Sequence, residues 1–496
     1  MQLGELARAD DSVRLIGDPR TEIEGLAFDV RDVRHGDLFA ALDGEPFRGH
    51  GVALEAVSRG AAAVLAAREI VRGTPTLQTG EPRRSFARVA AAFHGRPSRH
   101  LRVVGVTGTD GKTTTAHLVE TVLRAAGIRT GSITTVGTRV LDRATGAGSR
   151  LTTPEAPQVQ AHLAEMVAAA VQWAIVEATS HGLVLNRLDE VAFAVGAVTN
   201  VTHEHLDFHG TPDGYRRAKA VLLERARASG GTAVVNADDP GATATLAIAG
   251  ADATICYGID SPDAEVQALA LAAGPSSSTF RLATPTGEEP VRLPLPGRFN
   301  VENALCAAAC AHVAGLDATS IAAGLATVAP VPGRMTPVDA GQPFAVVVDY
   351  AHSPAAVEQV LDLLRRRHPG GRLVTLLGSA GQRDRLKRPW LGAVAARHAD
   401  YSVFTSEDPR LEDPDAIIGE IAVGAVSAGG REGETFVRVR DRRDAVRHAL
   451  ASACPGDCVA LLGKGHERSI VCGTDERPWD ELAVTRSLLA ELGYQR

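Results

Sequence analysis

Lysine is nearly missing from this chain. Of its 52 basic residues only Lys112, Lys219, Lys387 and Lys464 are lysine. Arginine fills the ordinary surface positions, so a lysine that remains marks a place where a guanidinium cannot replace a compact primary amine. All four stand inside motif-like segments. Also missing is any apolar run long enough to cross a bilayer, and the N-terminus MQLGELARADDS has no apolar signal core. A cytoplasmic protein without membrane insertion is expected. The net charge of −7 offers no basic surface for nucleic acid. The six cysteines include no C-x-x-C pair. Cys306 and Cys310 fall four apart in an alanine-rich helix and read as core thiols, while Cys454 and Cys458 flank a Pro-Gly turn; neither pair has the spacing of a zinc or redox site.

What is present is a globular composition, 45% hydrophobic and 22% charged over 496 residues, enough for two to four domains. The organising stretch is LRVVGVTGTDGKTTTAHLVE. Leu101–Val106 reads as a buried strand, Gly108, Thr109, Asp110 and Gly111 as a loop, and a helical pattern follows to Ala126. Strand, glycine loop, Lys-Thr and helix together predict a phosphate cradle. In it Lys112 reaches the terminal phosphates, the helix N-terminus meets the anion, and a threonine of Thr113-Thr114 can hold Mg²⁺. The spacing departs by one residue from G-x-x-x-x-G-K-[ST], because Val106 stands where the first glycine belongs.

Further along, WAIVE predicts a strand ending at Glu177. A carboxylate at a strand's carboxyl end, near phosphates, suits Mg²⁺, although a strand-end ion pair with arginine suits it equally. After the strand of Phe193–Asn200, a loop carries His203, Glu204, His205, Asp207 and His209; it is dense enough for zinc, but lies on a strand-to-helix loop and not at helical spacing. Tyr215–Ala226 predicts a helix bearing Lys219, beside Arg216 and Arg217. From about 332 onward strand and helix alternate, predicting a doubly wound sheet. Arg383, Arg410, Gly463 and Glu467 fall on three of its strand-end loops. Two guanidiniums and a carboxylate in one pocket would hold a zwitterionic amino acid.

TGTDGKTT resembles the nucleotide loop of the Mur ligase superfamily, and the resemblance runs the length of the chain. It implies an α/β fold of three domains. These are a uridine-nucleotide domain at 1–97, a central ATP-binding domain with a parallel sheet at 98–331, and a Rossmann-like domain at 332–496 that takes the incoming amino acid. In the first, Asp29-Val30-Arg31 and Arg48-Gly49-His50 stand for D-S-R and D-G-H, so Val30 occupies a substrate position without its hydroxyl. Thr152, Thr153, Thr179 and Arg187 would meet the UDP-muramyl dipeptide, with Leu185 where the family has Gln. The resemblance makes His205 and Glu177 metal ligands and Lys219 an N6-carboxylysine. It places Asn300 of GRFNVEN near adenine, Arg334 of PVPGR over ATP and Asp349 at the ribose.

The implied chemistry is a Mg²⁺- and ATP-dependent ligation that adds the third amino acid to UDP-N-acetylmuramoyl-L-alanyl-D-glutamate through an acyl phosphate, in peptidoglycan synthesis. Only small-molecule partners are expected, and a monomer. Arg410, in Glu407-Asp408-Pro409-Arg410, keeps the arginine of D-N-P-R that marks meso-diaminopimelate enzymes. Glu407 and Asp408 replace Asp and Asn, which would also suit the lone distal ammonium of lysine or ornithine. Two readings compete with this one: a related ligase acting on another glutamyl or muramyl acceptor, and a P-loop phosphohydrolase.

Overall fold

The computed structural model describes residues 1–44, 47–145, 151–202, 204–274 and 276–494. His203 and the side chains of Arg48 and His50 lie outside the described residues. Three sheets carry the fold, each drawing its strands from its own stretch of chain.

The first sheet has five strands between Arg14 and Gln78, parallel except for the edge strand Arg14–Ile16. Its helix Gly49–Ser58 leads into the strand Ala63–Ala66. Ala61 donates its N–H back to the Ala56 carbonyl and so belongs to the helix end.

At the centre of the second sheet lies Arg102–Thr107, between Trp173–Glu177 and Val195–Val198 and parallel to both. The middles of these runs are apolar because helices cover both faces. Lys112–Ala125 and the alanine-rich Arg298–Val313 pack on one face, where Cys306 and Cys310 are buried as the sequence implied. Ala156–Ala168 and Pro212–Ala228 pack on the other. An antiparallel meander, Val266–Ala273, Ser278–Thr284 and Gly287–Leu293, extends the far edge.

The third sheet runs Thr336–Pro337, Ala345–Asp349, Cys458–Leu462, Leu373–Leu377, Tyr401–Thr405 and Phe436–Val439. All but the first are mutually parallel, so the loops after Asp349, Leu377, Thr405 and Leu462 gather at one edge, where open α/β sheets take ligands. Among the described residues no helix is long and apolar enough to cross a membrane.

Arg442 sets the spacing of two of those loops. Its guanidinium, 1% exposed, forms a fork on Glu481 (3.0 and 2.8 Å) and donates to the carbonyls of Leu462 (2.9 Å) and Ser406 (3.3 Å). Removing one partner of such a pair strands the other charge, so Arg442→Met is expected to lose about 3–5 kcal/mol. The check is a lowered urea-unfolding midpoint for the C-terminal unit; an unchanged midpoint would contradict it.

Candidate active site

The loop Gly108–Gly111 is shaped by its neighbours. Gly111 has φ +84°, and Asn303 Oδ1 occupies the space a Cβ would need, so the position admits only glycine. Asn200 Oδ1 accepts the Asp110 N–H (2.9 Å), and Thr199 Oγ1 donates to the Asp110 carbonyl (2.6 Å). Lys112 Nζ donates to the carbonyls of Gly108 (3.0 Å) and Thr109 (2.8 Å). Lys219 Nζ reaches the same Gly108 carbonyl from the helix Pro212–Ala228, at 2.7 Å. Burial, and then the nearby Lys112 charge, push the Lys219 amine well below the ordinary lysine range; burial lowers Lys112 as well.

Glu177 is fully buried. Its Oε2 accepts from the hydroxyls of Thr113 (3.1 Å) and Thr135 (2.9 Å), and its Oε1 from the Thr135 N–H (3.0 Å). The surroundings are thus hydroxyls and a backbone N–H, not the arginine that the sequence left open. His205 sits at φ +56° with Nδ1 buried and without a partner among the described residues. Burial first, then His181 and Lys387, hold its pKa well below the ordinary value, so the ring is neutral and keeps a free lone pair. His205, Phe208 and His209 of the histidine-rich loop form a cluster of edge-on and tilted ring contacts with His181 and Tyr215. Among the described residues no three His, Cys, Asp or Glu side chains form a metal-holding group. The Thr113 hydroxyl, Glu177, the unpartnered His205 nitrogen and the Lys219 amine, once carboxylated, do fit Mg²⁺, which takes few protein ligands and fills its shell with phosphate and water oxygens.

A cleft runs between the central and C-terminal units. Asp110, Gly111, Thr114, Asn300, Arg334 and Asp349 all line it, with Tyr257, Leu295 and Phe299 as an apolar wall. Asn300 donates its amide to the Pro296 carbonyl at 2.7 Å. Both carboxylate oxygens of Asp349 are engaged, accepting the N–H groups of Met335 (2.6 Å) and Ala351 (2.7 Å). Asp349 therefore holds the turn from which Arg334 crosses to the Thr113 hydroxyl (3.2 Å), its guanidinium 4.6 Å over the Tyr350 ring. Asp110 also reaches across, accepting from Ser353 Oγ at 3.1 Å.

Around the third sheet's loops, Arg383 and Arg410 are close enough that, after burial, Arg410 is the main influence lowering Arg383. Among the described residues neither guanidinium forms an ion pair, and the buried Arg410 Nε has no partner. The acidic groups are otherwise placed. Lys464, fully buried, bridges Asp408 (2.9 Å) and Glu467 (2.5 Å). Glu407 is buried with Oε2 unpartnered, 3.0 Å from where a Cβ on Gly463 would stand. Of the two acids expected at 407 and 408, Asp408 is met by a lysine drawn from another loop, and Glu407 is not.

The four residues assigned to the muramyl substrate lie together. Thr153 Oγ1 donates to the Glu177 carbonyl (2.7 Å) and meets Thr179 Oγ1 (3.0 Å); Thr152 accepts from Thr135 (3.2 Å); Arg187 pairs with Glu155 (2.9 Å). Arg83 of the N-terminal unit pairs with the same Glu155 at 3.3 Å. Val30 is elsewhere, on a 3₁₀ turn, packed against the apolar cluster of Ala27, Phe39 and Ala41. Sequence reasoning gave no role to Thr135, Asn200, Asn303 or Glu155. Asn303, the second asparagine of GRFNVEN, was legible in its motif; Thr135, one threonine in TTVGT, carried no signal.

The chain matches the family model for the Mur ligase middle domain over residues 106–311 and that for the Mur ligase glutamate ligase domain over residues 333–465. A UDP-N-acetylmuramyl-tripeptide synthetase of Roseiflexus sp. (strain RS-1) is 46% identical, over 95% of this chain and 96% of that protein. A UDP-N-acetylmuramoyl-L-alanyl-D-glutamate–2,6-diaminopimelate ligase of Streptomyces coelicolor is 42% identical, over 95% and 93%. A solved diaminopimelate ligase structure superposes with TM-score 0.65 at 28% identity, covering all of both chains.

Gly111→Ala tests the cradle. With φ positive and Asn303 against the new methyl group, the loop has to move. ATP affinity measured by calorimetry is expected to fall by more than about tenfold, as a loss near 1.4 kcal/mol requires. Unchanged affinity would contradict the placement.

Proposed function

Because this chain belongs to the Mur ligase family, we infer that it is an ATP-dependent acid–amino-acid ligase that adds the third residue to UDP-N-acetylmuramoyl-L-alanyl-D-glutamate, and that this residue is meso-diaminopimelate. The carrying observation is the charge pattern around the third sheet's loops. Arg383 and Arg410 have no ion-pair partner among the described residues, whereas Asp408 and Glu467 are tied to Lys464. Two guanidiniums without an ion-pair partner favour a side chain that ends in a carboxylate over one that ends in ammonium alone.

The residues divide the work. Lys112 and the helix N-terminus hold the terminal phosphates, and Arg334 covers them from the C-terminal side. Thr113, Glu177, His205 and carboxylated Lys219 would hold Mg²⁺, which when bound neutralises charge on the transferring phosphoryl group. The depressed amine of Lys219 supports that modification, since only a neutral amine attacks CO₂. Thr152, Thr153, Thr179 and Arg187 seat the acceptor so that its glutamate carboxylate meets the phosphoryl group. Arg383 and Arg410 then present the amine to the acyl phosphate, and the closed interface keeps water from it. Asn300 and Asp349, which line the cleft, would face the adenosine.

Phosphate release with ATP, Mg²⁺ and the muramyl dipeptide is expected to depend on added meso-diaminopimelate and to be weak with L-lysine or L-ornithine. Preference for lysine or ornithine would overturn the assignment of the third residue. Arg410→Ala is expected to raise KM for diaminopimelate roughly 10–100-fold, the worth of one or two charge-assisted hydrogen bonds. Carbon-13 bicarbonate is expected to give one carbamate NMR resonance in the wild type and none in Lys219→Ala; its absence from the wild type would remove Lys219 from the metal site.

A further inference from the structure

We propose that Lys387 and Glu204 form a latch between the C-terminal and central units, coupling the seat of the incoming amino acid to the phosphoryl-transfer site. The proposal rests on the ligase reading above for its purpose, and on geometry for its existence. Lys387 Nζ lies 3.0 Å from Glu204 Oε1, with side chains only 7% and 4% exposed. The partners are 183 residues apart, one at a helix start and the other on a loop. Lys387 stands four residues after Arg383 at the start of the helix Lys387–His398, and Glu204 immediately precedes His205. Whatever draws the pair together therefore brings an amino-acid-binding arginine towards a phosphate-side histidine. Asp207 on the same central loop also acts electrostatically on Arg383.

The chemistry suits a reversible contact better than a static one. A buried ion pair gains little over a well-packed apolar pair, because two charges must leave water. At an interface that opens, the same charges return to water, so the closed state is specified without being locked. The residue choice agrees. Arg385 and Arg388 flank Lys387, yet position 387 keeps the compact amine. Glu204 Oε2 and Asp384 Oδ2, both buried, have no partner among the described residues, which leaves room for the contact to rearrange when substrates enter.

The test uses the full chain with ADP and Mg²⁺ in small-angle scattering, together with the kinetics of ligation. Lys387→Met, Glu204→Gln and the double variant are each expected to show the same increase in radius of gyration over the wild type. Their kcat is expected to fall at least about tenfold, with KM for ATP within about twofold and the double variant no worse than the worse single one. Glu204→Asp, which keeps the charge and so guards against misfolding, is expected to fall between. An unchanged radius in Lys387→Met, or losses that multiply in the double variant, would overturn the latch. Should the wild type turn over no amino acid, the ligase reading fails while the scattering still decides the latch.

Discussion

Two lysines donate to one carbonyl oxygen, that of Gly108, and much of the site follows from that arrangement. Lys112 arrives from the helix after the loop and Lys219 from a helix more than 100 residues later. Two ammonium groups at one atom, in a place that excludes water, repel each other and lose their hydration. The loop is therefore short of negative charge until something supplies it. Phosphate oxygens supply it to Lys112, and carboxylation supplies it to Lys219 by turning a cation into an oxygen ligand. The same imbalance explains why Glu177 is surrounded by hydroxyls instead of an arginine: the carboxylate is kept available beside the cations.

The C-terminal unit completes what the central unit leaves open. Arg334 on Thr113, Ser353 on Asp110 and Lys387 on Glu204 all cross the same interface. Each crossing ends on a residue within or next to the phosphate loop or the His205 loop. On the proposed reading the C-terminal unit brings the amine to an acyl phosphate formed on the central unit, so a geometry that forms only when the seam closes would protect that intermediate from water.

Legibility in the sequence followed chain separation. The phosphate loop, the strand ending at Glu177 and the doubly wound C-terminal sheet were readable because strand, turn and helix signals stand next to one another. Lysine scarcity proved informative beyond any motif: Lys219, Lys387 and Lys464 are buried, each donating to an acceptor from a distant part of the chain. The charge balance of the amino-acid pocket was not readable, because Asp408 is met by Lys464 from 56 residues away. Asp349 was read as a ribose contact, yet its oxygens first hold the turn that carries Arg334, a role no local pattern announces. Val30 sits where a motif put a nucleotide contact, but its apolar side chain is spent on packing.

The central claim is that ATP is spent on activating a carboxylate and not on hydrolysis. Oxygen-18 in the glutamate carboxylate of the muramyl dipeptide tests it directly, read by mass spectrometry of the phosphate released in the presence of diaminopimelate. Transfer of one labelled oxygen to each phosphate is the expected result, because an acyl phosphate breaks to leave its bridging oxygen with phosphorus. Unlabelled phosphate would mean that water takes the phosphoryl group, and the ligase account would fall.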